Sequence, residues 1–190
     1  GARVRVGARR LPGTTPLSAR VPAGRAEVVV ELAGHRSWRG AARVRPGAVT
    51  RLRAELEPLP GRVSVTSNHP CLVTVGGAAA GRTPVTGHPV GAGTVVVSCR
   101  DVRAGLRVRR RVTVPPGGAA RLRLEFGVLT INVEPWASVT VDGRRRGTTP
   151  LRLVLPAGEH RVQLRNADRG LSRTLGVEIR PSSTARISSW

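Results

Sequence analysis

Apolar and polar residues alternate in short runs along the whole of this chain. In the last third, Leu129, Ile131 and Val133 fall on one side of an extended run. Val139 and Val141 share a side of the next, and Leu151, Leu153 and Leu155 of the one after. A spacing of two marks strands that bury one face. Six strands are predicted there, at 128–134, 138–142, 149–155, 159–165, 173–179 and 184–188. The turns between them have their own chemistry. Asp142-Gly143 and Gly147 supply positive-φ positions for the loop joining the second and third strands. Thr149-Pro150 opens the third strand, where a missing N–H costs least, and Pro156-Ala157-Gly158 turns into the fourth. No stretch reads as a helix, so the chain is predicted to be all-β.

The same pattern occurs three times. Gly143 and Gly77, Pro150 and Pro84, and Gly127 and Gly61 are each separated by 66 residues. Gly13-Thr14-Thr15-Pro16 and Pro22-Ala23-Gly24 align with Gly147-Thr148-Thr149-Pro150 and Pro156-Ala157-Gly158 at an offset of 134. Self-similarity at a fixed period is the signature of repeated modules. Three are expected, at residues 1–57, 61–126 and 127–190, the first without its opening strand and the second divergent. They are joined by Glu57-Pro58-Leu59-Pro60 and by Glu125-Phe126-Gly127, with almost no linker.

The third repeat reads Gly127-Val128-Leu129-Thr130-Ile131, then Val139-Thr140-Val141-Asp142-Gly143, Gly147-Thr148-Thr149-Pro150-Leu151 and Leu155-Pro156-Ala157-Gly158-Glu159-His160. These stretches resemble the PEGA domain of bacteria and archaea. Its pattern runs G-x-L-x-V, A-x-V-x-V-D-G, G-x-T-P-L, L-P-A-G-x-H. The resemblance covers all of the third repeat, most of the first and a degraded second. It departs at Pro135-Trp136-Ala137-Ser138, one residue short of the tetrad that names the family. The resemblance implies small antiparallel β-sandwiches, similar to S-layer-associated, prealbumin-like or Ig-like modules. Such modules serve as appendages of bacterial cell envelope proteins, or as tails behind Ser/Thr protein kinase domains, and carry no established catalytic residues. A chain that starts at Gly1 without Met is expected to be a segment with an upstream domain in the same polypeptide. The compartment is then either the envelope or a kinase's cytoplasmic tail.

Composition sharpens this picture. The chain is 39% hydrophobic but 2% aromatic, with no Tyr or Met and one Phe, so its cores must be built from Val, Leu, Ile and Ala. No apolar run approaches the roughly 20 residues of a membrane span. The net charge is +21, and all 32 basic residues are Arg, against 11 acids. Arginine forks bind phosphate and carboxylate bidentately. Arginine without lysine, beside abundant Ala, Gly, Pro and Val, is equally what a GC-rich genome places at solvent-facing positions. Both readings stay open.

On the fifth and sixth strands of the second repeat, Leu106, Val108, Val112, Leu122 and Leu124 are expected to face inward. Arg107, Arg109, Arg111, Arg121 and Arg123 would then share the outer face, with Arg110 at a rim. Arg43, Arg45, Arg51 and Arg53 repeat the arrangement in the first module, and Arg144, Arg145 and Arg146 occupy a loop tip in the third. Together these are candidates for an anion-binding surface. An acidic protein, a polysaccharide or another polyanion would suit it. Sequence-specific nucleic acid would not, because there is no groove-reading helix, and Trp38, Phe126, Trp136 and Trp190 do not form a stacking platform.

Catalytic chemistry finds no foothold. The three Asp and eight Glu are scattered over three modules, and no G-x-S-x-G or H-E-x-x-H occurs. No enzyme activity and no cofactor are expected. His69, Cys71, His88 and Cys99 gather in the second repeat. With six strands running alternately up and down, Cys99 lies a strand length from Cys71, about 17 Å at ~3.3 Å per residue. A disulfide spans Cα atoms less than about 7 Å apart, so two buried thiols are expected. A metal site at His69, Cys71 and His88 is the sharper alternative. The sequence therefore points to a non-catalytic interaction or spacer region of a larger bacterial protein. The alternatives are a regulatory kinase appendage and a purely architectural envelope module.

Overall fold

The fold contains strands and no helix, and the computed structural model describes all 190 residues. The N-terminal stretch forms β1 (Arg3–Val6), β2 (Arg9–Arg10), β3 (Gly24–Glu31) and β4 (Trp38–Val44), hydrogen-bonded in the order β2-β1-β3-β4. Seven strands follow: β5 (Gly61–Ser67), β6 (Leu72–Val75), β7 (Ala78–Arg82), β8 (Val85–Val90), β9 (Gly93–Asp101), β10 (Leu106–Val114) and β11 (Ala119–Leu124). They form two sheets, β10-β9-β6-β7 and β11-β5-β8. Seven more complete the chain: β12 (Phe126–Ile131), β13 (Ser138–Val141), β14 (Arg144–Thr148), β15 (Leu151–Pro156), β16 (Gly158–Asn166), β17 (Leu171–Ile179) and β18 (Thr184–Ile187). Their sheets, β14-β13-β16-β17 and β15-β12-β18, repeat the preceding two strand for strand. The sheet β2-β1-β3-β4 matches the four-stranded member of each pair.

Two expectations are corrected here. Each full set holds seven strands, because β7 and β14 form where a loop tip was expected. Both are edge strands that bury little, reading AAAGR and RRRGT, so neither shows the alternation that reveals a half-buried strand. Both join their neighbour through a register shift, at Val73/Thr74 and at Val139/Thr140. Pairing is also not antiparallel throughout. β12 is antiparallel to β15 but parallel to β18.

The first stretch departs furthest. It was expected to lack one strand, yet it has no second sheet at all: residues 16–22 and 48–57 contain no strand. The middle strand of a sheet supplies both neighbours with hydrogen bonds, so losing it costs all three. Arg51 and Arg53 consequently lie on irregular backbone.

Packing reflects this difference. Leu129, Ile131, Leu155, Leu164 and Ile179 are the largest fully buried side chains, with Val63, Val65, Val73, Val75, Val97, Val114 and Val139 beside them in rank. None lies in the first 60 residues. There the buried cluster is Ala2, Val4, Leu11, Val28 and Val30, with Leu17, Trp38, Ala54 and Leu56 half-buried against it.

Two motif residues owe their identity to close contacts. Thr149 clamps the loop before β13: its N–H donates to Ala137 O (2.9 Å), and its Oγ1 accepts from Ala137 N (2.9 Å). Thr83 does the same to Cys71 (3.0 and 3.1 Å), and Thr15 to Ala2 (2.9 and 2.9 Å). The Thr-Pro motif therefore fastens the crossover between sheets. Gly127 is needed for a different reason. A Cβ there would strike Arg180 O, and at Gly61 one would strike Val114 Cγ1.

The chain divides into two compact units. The first comprises Gly1–Val63, Pro89–Thr94 and Thr113–Ala120. The second comprises Ser64–His88, Val95–Val112 and Arg121–Trp190. Within the first, Leu59 N–H donates to Gly34 O (2.8 Å) and accepts through its carbonyl from Gly117 N (3.0 Å). Within the second, the Asn68 amide meets both backbone groups of Phe126, at 2.8 Å each, and reaches Ser182 Oγ at 2.9 Å. His69 packs edge-on against the Phe126 ring. No helix is long and apolar enough to cross a membrane.

Candidate functional site

Strand register builds a basic surface on the sheet β2-β1-β3-β4. Val4, Val28 and Val30 point into the core, so Arg3, Arg5, Arg25, Glu27 and Glu31 point out. Arg5 stands opposite Arg10 on one side and Val29 on the other, and Val29 stands opposite Arg39. This makes one transverse row, Arg10–Arg5–Val29–Arg39. Arg25 faces Arg43 directly, and Arg3 faces Glu31. Arg3, Arg5 and Arg10 line a shallow depression of about 310 Å³ with Val4 and Glu31. Like charges directly opposite one another across a sheet are destabilising, and this face has two such pairs. An anion placed over them removes the repulsion and gains bidentate hydrogen bonds.

Of the arginines expected to form the site, only Arg43 joins this face. Arg45 follows β4, and Arg51 and Arg53 lie on the irregular segment. Arg107, Arg109 and Arg111 line β10, an edge of one sheet, whereas Arg121 and Arg123 line β11, an edge of the other. They do not share one sheet face as expected, because the turn after β10 carries the chain into the other sheet. Arg144, Arg145 and Arg146 lie on β14. Arg146 is half-buried and donates to Gly105 O (3.2 Å). Arg53 pairs with Glu55 at 3.6 Å, both largely solvated, and Arg123 with Glu125 at 2.8 Å, where the carboxylate is half-buried. Arg110 and Arg123 line a cleft of about 210 Å³ with Phe126 and Pro156.

Arg3, Arg5, Arg10, Arg25 and Arg39 escaped attention because each is ordinary within its own strand. Only pairing aligns them. Arg3, Arg5, Arg25 and Arg39 share odd parity with Arg43, against the even-numbered core valines Val4, Val28 and Val30, whereas Arg10 joins the row only through the β1–β2 turn.

The thiols and imidazoles follow a corrected path. β7 reverses the direction of every later strand, so Cys99 comes up beside Cys71 instead of ending a strand length away. They form a disulfide with Cα atoms 5.6 Å apart. Cys71 therefore offers no thiolate to a metal. His69 bonds Asp101 Oδ2 through Nε2 (2.8 Å), and His88 lies on β8 in the three-stranded sheet. The three do not converge, and no cluster of His, Cys, Asp or Glu could hold a metal ion. The His69 hydrogen bond holds the Asp101 carboxyl below its ordinary 3.8 against the effect of burial, helped by the Ala104 and Arg103 N–H groups.

A second imidazole–carboxylate pair pins the third module. His160 reaches Asp142 Oδ2 through Nδ1 (2.7 Å) and Pro156 O through Nε2 (2.8 Å), and Asp142 Oδ1 accepts from Arg161 N (3.0 Å). Burial alone would raise the Asp142 carboxyl. The His160 and Arg161 hydrogen bonds outweigh it and, with the nearby charges of His160 and Arg146, leave it below 3.8. The pair joins the β13–β14 turn to the β15–β16 turn, with no nucleophile beside it. Two tryptophans are held in place: Trp38 packs on the first core, and the Trp190 indole donates to Pro135 O, whereas Trp136 stays exposed and only its backbone carbonyl is engaged, accepting from Asn166.

Residues 1–60 and 126–167 match the family described as PEGA domain. No curated protein matches the chain. Among solved structures it aligns along its full length with 46% of the Bacillus anthracis TIE protein, at 15% identity and a TM-score of 0.37. The chain thus spans just under half the length of that relative.

Proposed function

We propose, since the chain belongs to the PEGA domain family, that it is a non-catalytic interaction region of a larger bacterial protein. It comprises three modules, 1–57, 61–126 and 127–190, and it meets an acidic partner through its arginines. The observation that carries this reading is the register of β2-β1-β3-β4, which sets Arg5 against Arg10 and Arg25 against Arg43 on one exposed face. The arginines of β10 and β11 add to a net charge of +21, so encounter with a polyanion is fast and sensitive to salt.

The disulfide bears on where this happens. Disulfides persist in oxidising compartments and are rare in the bacterial cytosol. Cys71–Cys99 therefore favours the cell envelope over the cytoplasmic tail of a kinase.

Heparin serves as a generic polyanion for the test. Replacing Arg5, Arg10, Arg39 and Arg43 by Gln should weaken its binding at least tenfold and flatten the salt dependence. The same change at Arg107, Arg109, Arg121 and Arg123 should weaken it less. Equal affinity for the first variant and the native chain would remove the basic face from the function.

A further inference from the structure

Successive rows across the sheet β2-β1-β3-β4 alternate in the chemistry they offer. Arg25 and Arg43 stand directly opposite each other in one row, and Glu27, opposite Ala41, occupies the next. The row after that is Arg10–Arg5–Val29–Arg39, and the last sets Glu31 against Arg3. All of these arginines and both glutamates are exposed. The arginines that do form ion pairs are Arg36, Arg53, Arg123 and Arg180, none of them on this face. In the depression lined by Arg3, Arg5, Arg10 and Glu31, Arg3 has the carboxylate opposite it, which leaves Arg5 and Arg10 uncompensated.

Two guanidinium groups on neighbouring strands, whose backbones lie about 4.8 Å apart, match an anion with two charges. A carboxylate has one charge and fills one fork. A phosphomonoester carries about two charges near pH 7 and offers three acceptor oxygens, so it engages both forks at once. The row of Arg5 and the row of Arg25 lie four residues apart along β3, about 13 Å at ~3.3 Å per residue. That is too far for a single group and fits two groups on one polymer. The glutamates then choose among polymers. An acidic protein would bring further carboxylates against Glu27 and Glu31, whereas a sugar brings hydroxyl groups that donate to them.

We propose, building on the reading of this face as an anion-binding surface, that its ligand is a polysaccharide bearing phosphomonoester groups. The Arg5–Arg10 and Arg25–Arg43 pairs hold the phosphates, and Glu27 and Glu31 accept from the sugar hydroxyls between and beside them.

Four probes test this by titration calorimetry: dextran phosphate, carboxymethyl dextran of equal charge density, inorganic polyphosphate and a phosphoserine peptide. Dextran phosphate should bind at least tenfold tighter than carboxymethyl dextran. Arg5→Lys with Arg10→Lys keeps the charge but loses the forks, and should remove that preference. Glu27→Ala with Glu31→Ala makes the face more positive. It should tighten binding of polyphosphate, which has no hydroxyls, yet weaken binding of dextran phosphate. Equal affinity for the two dextrans, with heparin binding still lost when Arg5, Arg10, Arg39 and Arg43 become Gln, would overturn this inference and leave the anion-binding face standing. Heparin binding untouched by that variant would overturn both. Tighter dextran phosphate binding by the glutamate variant would remove the hydroxyl contacts. A phosphoserine peptide bound as tightly as dextran phosphate would give the face to a protein ligand, and either result sinks the polysaccharide.

Discussion

Thr149 shows how one side chain can make a motif indispensable. Its hydroxyl and its N–H both engage Ala137, and both residues are buried. An orphaned buried N–H costs about 1–3 kcal/mol. Thr149→Val keeps the shape and removes the acceptor, so urea unfolding should show a loss in that range, while Thr149→Ser retains most of the stability. A Val variant as stable as the native chain would make the clamp incidental. Asp142 works through charge. Its folded carboxyl lies below 3.8, so its contribution is complete above that value and disappears as pH falls through the folded one. Asp142→Asn should therefore cost stability at pH 7 and almost none near pH 2. Denaturant titrations at the two pH values would show the gap closing. A gap independent of pH would trace the loss to packing instead. The turn role of Asp142 was legible in the sequence. Its bond to His160 was not, because nothing local relates a turn residue to one on β16, 18 positions later.

At the scale of elements, every sheet edge carries a guard. The edge strands β2, β4, β7, β10, β11, β14, β15, β17 and β18 each carry at least one arginine, and the remaining edge strand, β8, carries Pro89. Among the central strands, β6, β12 and β13 carry no arginine, whereas β1, β3, β5, β9 and β16 do. Charge and proline on an edge prevent pairing with other chains. Much of the positive charge thus has a role independent of any ligand. Replacing Arg107, Arg109 and Arg111 by Thr should raise aggregation, read by light scattering at a temperature where the native chain stays monodisperse. Unchanged scattering would mean β10 needs no guard. The same edges explain the strands missed in the sequence. β7 and β14 have almost no buried face, so hydrophobic alternation cannot reveal them, although pairing fixes them in place.

For the whole molecule, the disulfide is the feature with a consequence outside the fold. Protein taken from its native compartment without reductant should resist maleimide until it is unfolded and reduced. Labelling of both cysteines on unfolding alone would place the chain in a reducing environment and overturn the envelope proposal. Sequence by itself determined the class and the recurrence: valines spaced by two, Gly and Pro at the turns, and motifs returning at 66 and 134 residues dictate β-modules in series. Those are local signals, carried by residues close together in the chain. Tertiary structure decided which arginines share a face and that Cys71 meets Cys99. Each depends on strand count and pairing between distant segments. One unrecognised edge strand reverses the direction of all that follow, so these facts become visible only when the sheets close.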